Sequence, residues 1–127
     1  MNEWYRKLNK APWTPPDWTF GVIWSFLYLL MIIALYLVWS NKKCYPYCDP
    51  ITYFFIQLFF NLIWTTLFFK LKQPLLALLD ICIIITVTAY TTLQFHKLVP
   101  MAAYLLVPYL LWLCVAFSLN LYVLIHN

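Results

Sequence analysis

Charge is scarce in this sequence. Asp, Glu, Lys and Arg make up 9% of its 127 residues, against about 25% in soluble domains. A soluble helical bundle would need a polar face on every helix, and that much polar surface is not available here. Glycine is scarcer still. Gly21 is the single one, which excludes the GxxxG contacts that bring membrane helices close and leaves packing to large side chains. Carboxylates number four, and His96 and His126 are the only histidines. No second acid or in-span histidine accompanies Asp80, so general acid–base catalysis has no pair to work with. Hydrogen bonding near the interface is the expectation for Asp80. No nucleophile–base pair or phosphate loop is recognisable, no Cys/His spacing fits zinc, and no basic patch asks for nucleic acid. No catalytic residue, metal or obligatory cofactor is expected.

Apolar runs fill almost everything else. They are Phe20 to Trp39, Ile51 to Phe69, Pro74 to Phe95 and Pro100 to Ile125, interrupted by one formal charge, Asp80. A helix rises about 1.5 Å per residue, so about 20 residues cross the hydrocarbon core of roughly 30 Å. The expected fold is all-α, a polytopic transmembrane helix bundle with four spans, at about 18–40, 51–69, 74–95 and 100–125. The chain reads as a single transmembrane domain over 1–127. Residues 1–17 form an interfacial segment and a proline loop, with Pro12, Pro15 and Pro16 stiffening the latter. The polar start at Met1 to Lys10 is no signal peptide, so the first span is expected to be an uncleaved anchor. Asp17 and Asp49 are candidate helix caps, with Pro50, Pro74 and Pro100 at helix starts. Five Lys/Arg lie on the side of the termini and three on the other, which directs both termini to the cytoplasm. Cys44 and Cys48 then fall in a non-cytoplasmic loop. Two free thiols are the preferred reading there, with a disulfide as the alternative. Cys82 and Cys114 read as packing residues within spans.

Polar side chains inside lipid mark faces turned to other helices, because an unpaired polar group in hydrocarbon is costly. The second span carries Gln57, Asn61 and Thr65 in one stripe, with Trp64 and Phe68 beside it. The first has Trp24 and Tyr28 one turn apart, and the fourth has Pro108, Trp112, Ala116 and Asn120 along one face. Folded inward, these faces would line a pocket for a flat, largely apolar ligand. Alternatively, Asn61 and Asn120 tie helices together and the aromatics are core or belt.

The sequence resembles the tryptophan-rich sensory protein/translocator protein family, also called the peripheral benzodiazepine receptor or TspO/MBR family. The matching stretches are Trp4-Tyr5…Leu8…Lys10 leading to Trp13-Thr14-Pro15-Pro16; Trp24…Leu27-Tyr28; Gln57-Leu58…Asn61…Trp64…Phe68-Phe69; Ala77-Leu78…Asp80; and Tyr104-Leu105-Leu106…Pro108-Tyr109-Leu110…Trp112…Ala116…Leu119-Asn120. They follow family order nearly end to end. The resemblance implies a multi-pass protein of a bacterial cell membrane or the mitochondrial outer membrane, usually dimeric. Porphyrins such as protoporphyrin IX and haem, and other flat hydrophobic molecules, would bind between its helices, in sensing or tetrapyrrole handling. By position, Trp24, Tyr28, Asn61, Trp64, Trp112 and Ala116 would line the pocket, and Trp13 and Pro15 would belong to a lid. With no histidine at mid-membrane, axial ligation of haem iron lacks a candidate, and a porphyrin would be held by stacking.

Two departures qualify the resemblance. Family members have a further helix before the Trp-Tyr region, and this sequence begins directly at it. The basic residue of the C-terminal sterol motif of animal members is absent after Tyr122, so sterol binding is not carried over. The alternatives to a binder are a small membrane transporter, a light-dependent porphyrin-degrading enzyme in which Trp24 and Trp112 act, and a structural scaffold subunit. A proton-coupled exporter would carry a carboxylate in its first span, and this span has none.

Overall fold

The computed structural model describes residues 12–14, 17–42, 44–45, 47–71 and 73–126, with the backbone alone at Asp17, Phe69 and Lys70. The expected interfacial segment before residue 12, Pro15, and the capping carboxylate of Asp17 lie outside the described residues. Among the described residues four helices follow one another: α1 (Asp17–Trp39), α2 (Asp49–Thr65), α3 (Pro74–Leu98) and α4 (Pro100–His126). All are long and apolar enough to cross a membrane, α2 when continued to Phe68.

Proline sets the boundaries. Cys48 takes the cap position of α2 in extended backbone, one residue earlier than expected, with Asp49 and Pro50 in the first turn. Proline suits that position because its missing N–H would have no partner there. Val99, which precedes Pro100, is extended and ends α3, since the proline ring clashes with a helical residue before it. The third helix therefore runs to Leu98, past the expected end near residue 95. After Thr65 the second helix widens into a π turn, Thr66–Lys70. Its looser winding lets Leu71 donate to the Thr66 carbonyl and Gln73 to the Leu67 carbonyl, and α3 begins at once. Pro108 sits inside α4, where it cannot donate to the carbonyl one turn back.

In the bundle α3 packs between α2 and α4, α4 packs between α3 and α1, and α1 touches α2 only slightly. Packing relies on large side chains: Met31 of α1, Phe54 of α2, Phe95 of α3, and Leu106 and Tyr109 of α4 are all buried. Phe54 and Phe95 stack across α2 and α3 with centroids 6.0 Å apart. Gly21 is not a contact point, because a Cβ built there would meet nothing within 4 Å. Outward faces are aliphatic and aromatic, among them Val22, Phe26, Ile33, Phe59, Leu62, Leu79, Leu93 and Leu111. In lipid such faces need no cover, and helix association rests on van der Waals fit and interhelical hydrogen bonds.

The first loop corrects an expectation. Cys44 and Cys48 form a disulfide, with Cα atoms 4.8 Å apart, so the preferred reading of two free thiols is overturned. The Asn41 carbonyl accepts from both the Cys44 and Tyr45 amides. That turn folds Cys44 back toward the start of α2, within the Cα separation that a disulfide needs. Cys82 and Cys114 remain free thiols on exposed faces, not interior packing positions.

Candidate functional site

A buried chain of hydrogen bonds joins all four helices. The Tyr28 hydroxyl of α1 donates to Asn61 Oδ1 of α2. Asn61 Nδ2 donates to the Tyr109 hydroxyl of α4 at 2.7 Å, and that hydroxyl donates to Gln57 Oε1 at 2.8 Å. Thr88 of α3 approaches the same oxygen at 3.4 Å, while Gln57 Nε2 faces the Met31 sulfur at 3.9 Å. Gln57, Asn61, Thr88 and Tyr109 are each at most 3% exposed. A polar group unpaired at this depth would carry its full desolvation cost. The network meets that need within the protein, and Asn61 spends both ends of its amide on it. Asn61, one of the expected pocket residues, thereby positions Tyr28 and Tyr109.

An aromatic cluster lies directly against this network, between α1 and α4. Trp24 is at its centre, with ring centroids 5.8 Å from Tyr28, 6.4 Å from Tyr109 and 6.1 Å from Trp112. Phe20 meets Trp112 edge-on at 5.6 Å. Edge-to-face geometry directs the positive rim of one ring to the negative face of the next. Helical spacing produces the set: Phe20, Trp24 and Tyr28 lie at intervals of four on α1, while Tyr109, Trp112 and Ala116 step along the buried face of α4. Trp112 Nε1 is buried and has no hydrogen-bond partner among the described residues. Phe20 is a member that sequence reasoning missed; its spacing of four from Trp24 was the available signal.

Of the remaining expected residues, Trp13 is described and Pro15 lies outside the described residues. Trp13 donates its indole N–H to the Ser118 hydroxyl at 3.1 Å and meets the Tyr122 ring edge-on at 5.7 Å. Trp13 is thus moored to α4 about two to three turns beyond Trp112. Trp64 is engaged elsewhere. Its indole donates to Asn120 Oδ1 at 3.0 Å, and its ring stacks on Phe68 at 5.3 Å. Asn120 Nδ2 in turn donates to the Pro74 carbonyl at the start of α3, making a second tie across α2, α3 and α4. Asp80 departs from expectation: it is buried, and its Oδ2 finds no donor among the described residues.

The site offers ring faces and edges, one buried N–H donor and a moored loop. Among the described residues no group of His, Cys, Asp or Glu could hold a metal ion. His96 and His126 contact Tyr104 and Tyr122 near the ends of α3 and α4.

Fold and site together define a multi-pass helical membrane protein with an aromatic cluster between its first and last spans. The sequence matches the TspO/MBR family over residues 1–126. Similar proteins include the tryptophan-rich protein TspO of Archaeoglobus fulgidus, 38% identical, with 100% of this chain aligned to 82% of that protein. The human translocator protein is 36% identical over 92% of this chain and 70% of its own length. The tryptophan-rich sensory protein of Cereibacter sphaeroides is 36% identical over 94% of this chain and 73% of its own length. The chain belongs to the TspO/MBR family.

Proposed function

We propose that this protein binds porphyrins, protoporphyrin IX among them, and other flat hydrophobic molecules within its membrane-spanning bundle, in sensing or tetrapyrrole handling and not as an enzyme. The observation that carries this reading is the Trp112 indole, buried among Phe20 and Trp24 with its N–H unpartnered among the described residues. A buried donor without a partner costs about 1–3 kcal/mol, and a carbonyl or carboxylate on a ligand would recover it. The rings of Trp24, Tyr28 and Trp112 would stack on the macrocycle, and the Trp13 mooring would set how readily it enters from the membrane surface. Stacking and one hydrogen bond would hold the macrocycle with or without iron, so metal-free porphyrin and haem should bind comparably.

The test is a protoporphyrin IX titration of the detergent-purified protein in the dark, read by Soret absorbance and tryptophan quenching. Wild type should saturate in the micromolar range. Trp112→Phe, which keeps a ring and removes the donor, should weaken binding about tenfold, the equivalent of about 1.4 kcal/mol. Trp24→Phe should also weaken it, with helical content and melting unchanged in both variants. Affinity unaltered by both changes would sink the reading. Porphyrin recovered intact after illumination separates a binder from the light-dependent enzyme, which would consume it.

A further inference from the structure

We propose that the first-loop end of α1 is a binding site for an anionic phospholipid, separate from the aromatic cluster at the other end of that helix. A groove of about 600 Å³ is lined by Ile32, Leu35, Tyr36, Trp39, Ser40 and Tyr45. The helical members recur at intervals of three and four, so they form one continuous outward face. From Ile32 to Ser40 that face is about 12 Å long at 1.5 Å per residue, the reach of a substantial part of an acyl chain.

The groove changes character along its length in the way a phospholipid does. Its inner end is aliphatic, at Ile32 and Leu35. Its outer end carries Tyr36, Trp39 and Tyr45, the amphipathic rings that settle at headgroup level. Beyond these, exposed Lys42 lies in the loop between the two lining residues Ser40 and Tyr45, and Lys43 follows in the sequence. A cationic side chain such as that of Lys42, close in sequence to the polar end of an apolar groove, complements a phosphate-bearing headgroup. A neutral hydrocarbon would gain nothing from it.

The loop holds this shape by covalent and hydrogen-bonded restraints. The Cys44–Cys48 disulfide, with Cys44 fully buried, and the paired amides on the Asn41 carbonyl keep Tyr45 at the rim. The Ser40 hydroxyl donates to the Tyr36 carbonyl at 2.7 Å and so extends the end of α1 beneath it. A site preformed in this way spends little free energy on ordering when the lipid arrives.

The test uses the full chain reconstituted in phosphatidylcholine vesicles, with either phosphatidylcholine or phosphatidylglycerol supplied as the dibrominated lipid at equal mole fraction. Bromine quenches nearby tryptophan, and Trp39 lines the groove. Brominated phosphatidylglycerol should compete at least fivefold better than brominated phosphatidylcholine for the quenchable site at low salt, since a basic residue near an anionic lipid contributes about that factor. Trp39→Phe, which keeps a ring against Phe55, should remove the preferential part of the quenching. The double variant Lys42→Gln/Lys43→Gln should bring the two lipids to parity, with helical content and porphyrin titration unchanged. Equal quenching of wild type by both lipids would overturn the proposal, because it marks ordinary contact with surrounding lipid. So would a preference that survives the lysine double variant, or cross-linking that finds the groove covered by a second copy of the chain.

Discussion

Replacing Tyr109 with Phe removes one oxygen from the centre of the bundle and unties two hydrogen bonds, the one accepted from Asn61 at 2.7 Å and the one donated to Gln57 at 2.8 Å. Interhelical hydrogen bonds in membrane proteins contribute about 0.6 kcal/mol on average and about 1.7 at most. Two of them place the expected loss at about 1–3 kcal/mol, with no cavity to add because the ring stays. Asn61→Leu, which keeps the same branching in a bulkier side chain, removes the acceptor of Tyr28 and the donor to Tyr109 and should cost at least a similar amount. The two variants share one contact, so their effects should not add. Double-mutant cycles isolate such a shared contact, and the coupling should be about 0.6–1.7 kcal/mol. The assay is reversible unfolding of the full chain in mixed micelles, followed by far-UV circular dichroism, for wild type, both single variants and the double. Strictly additive effects, or a neutral Tyr109→Phe, would refute the claim that this chain of bonds holds the four helices together.

Trp64→Phe retains a ring against Phe68 and removes the N–H that reaches Asn120. It should destabilise the protein by about 1 kcal/mol while leaving protoporphyrin affinity within twofold; a large affinity loss at constant stability would return Trp64 to the pocket. Quantitative labelling of the denatured chain with a thiol-reactive probe should find two thiols before reduction, Cys82 and Cys114, and four after it. Four before reduction would overturn the loop geometry. In the chain-entropy account, closing so short a loop stabilises by no more than about 2 kcal/mol, so Cys44→Ser/Cys48→Ser should remain folded with a lowered melting temperature.

The spans, their starts and their number were legible because length and apolar content are local properties, and because proline restricts its own backbone and that of its predecessor wherever it stands. Inward faces were only partly legible. In a soluble helix the alternation of polar and apolar residues shows which side is buried, but here both sides are apolar and hydropathy carries no phase. The rare polar and aromatic residues substituted for it. They led to Trp24, Tyr28, Asn61 and Trp112, and these do converge. They also led to Trp64, which turns instead to Asn120 and Phe68.

Which atoms meet was a tertiary decision. The Tyr28–Asn61–Tyr109–Gln57 chain links residues as far apart as 52 positions, and only the packing of α4 against α1 and α3 brings a hydroxyl to each amide. The disulfide likewise depended on the turn at Asn41, since a spacing of four fits a closed bridge and two separate thiols equally well. By itself the sequence determined a membrane-spanning, helical member of the TspO/MBR family. The fold assigned the partners, giving both ends of the Asn61 amide to the protein and leaving the indole N–H of Trp112 without one among the described residues, because a hydrogen bond requires two groups within about 3 Å and no one-dimensional pattern encodes that distance.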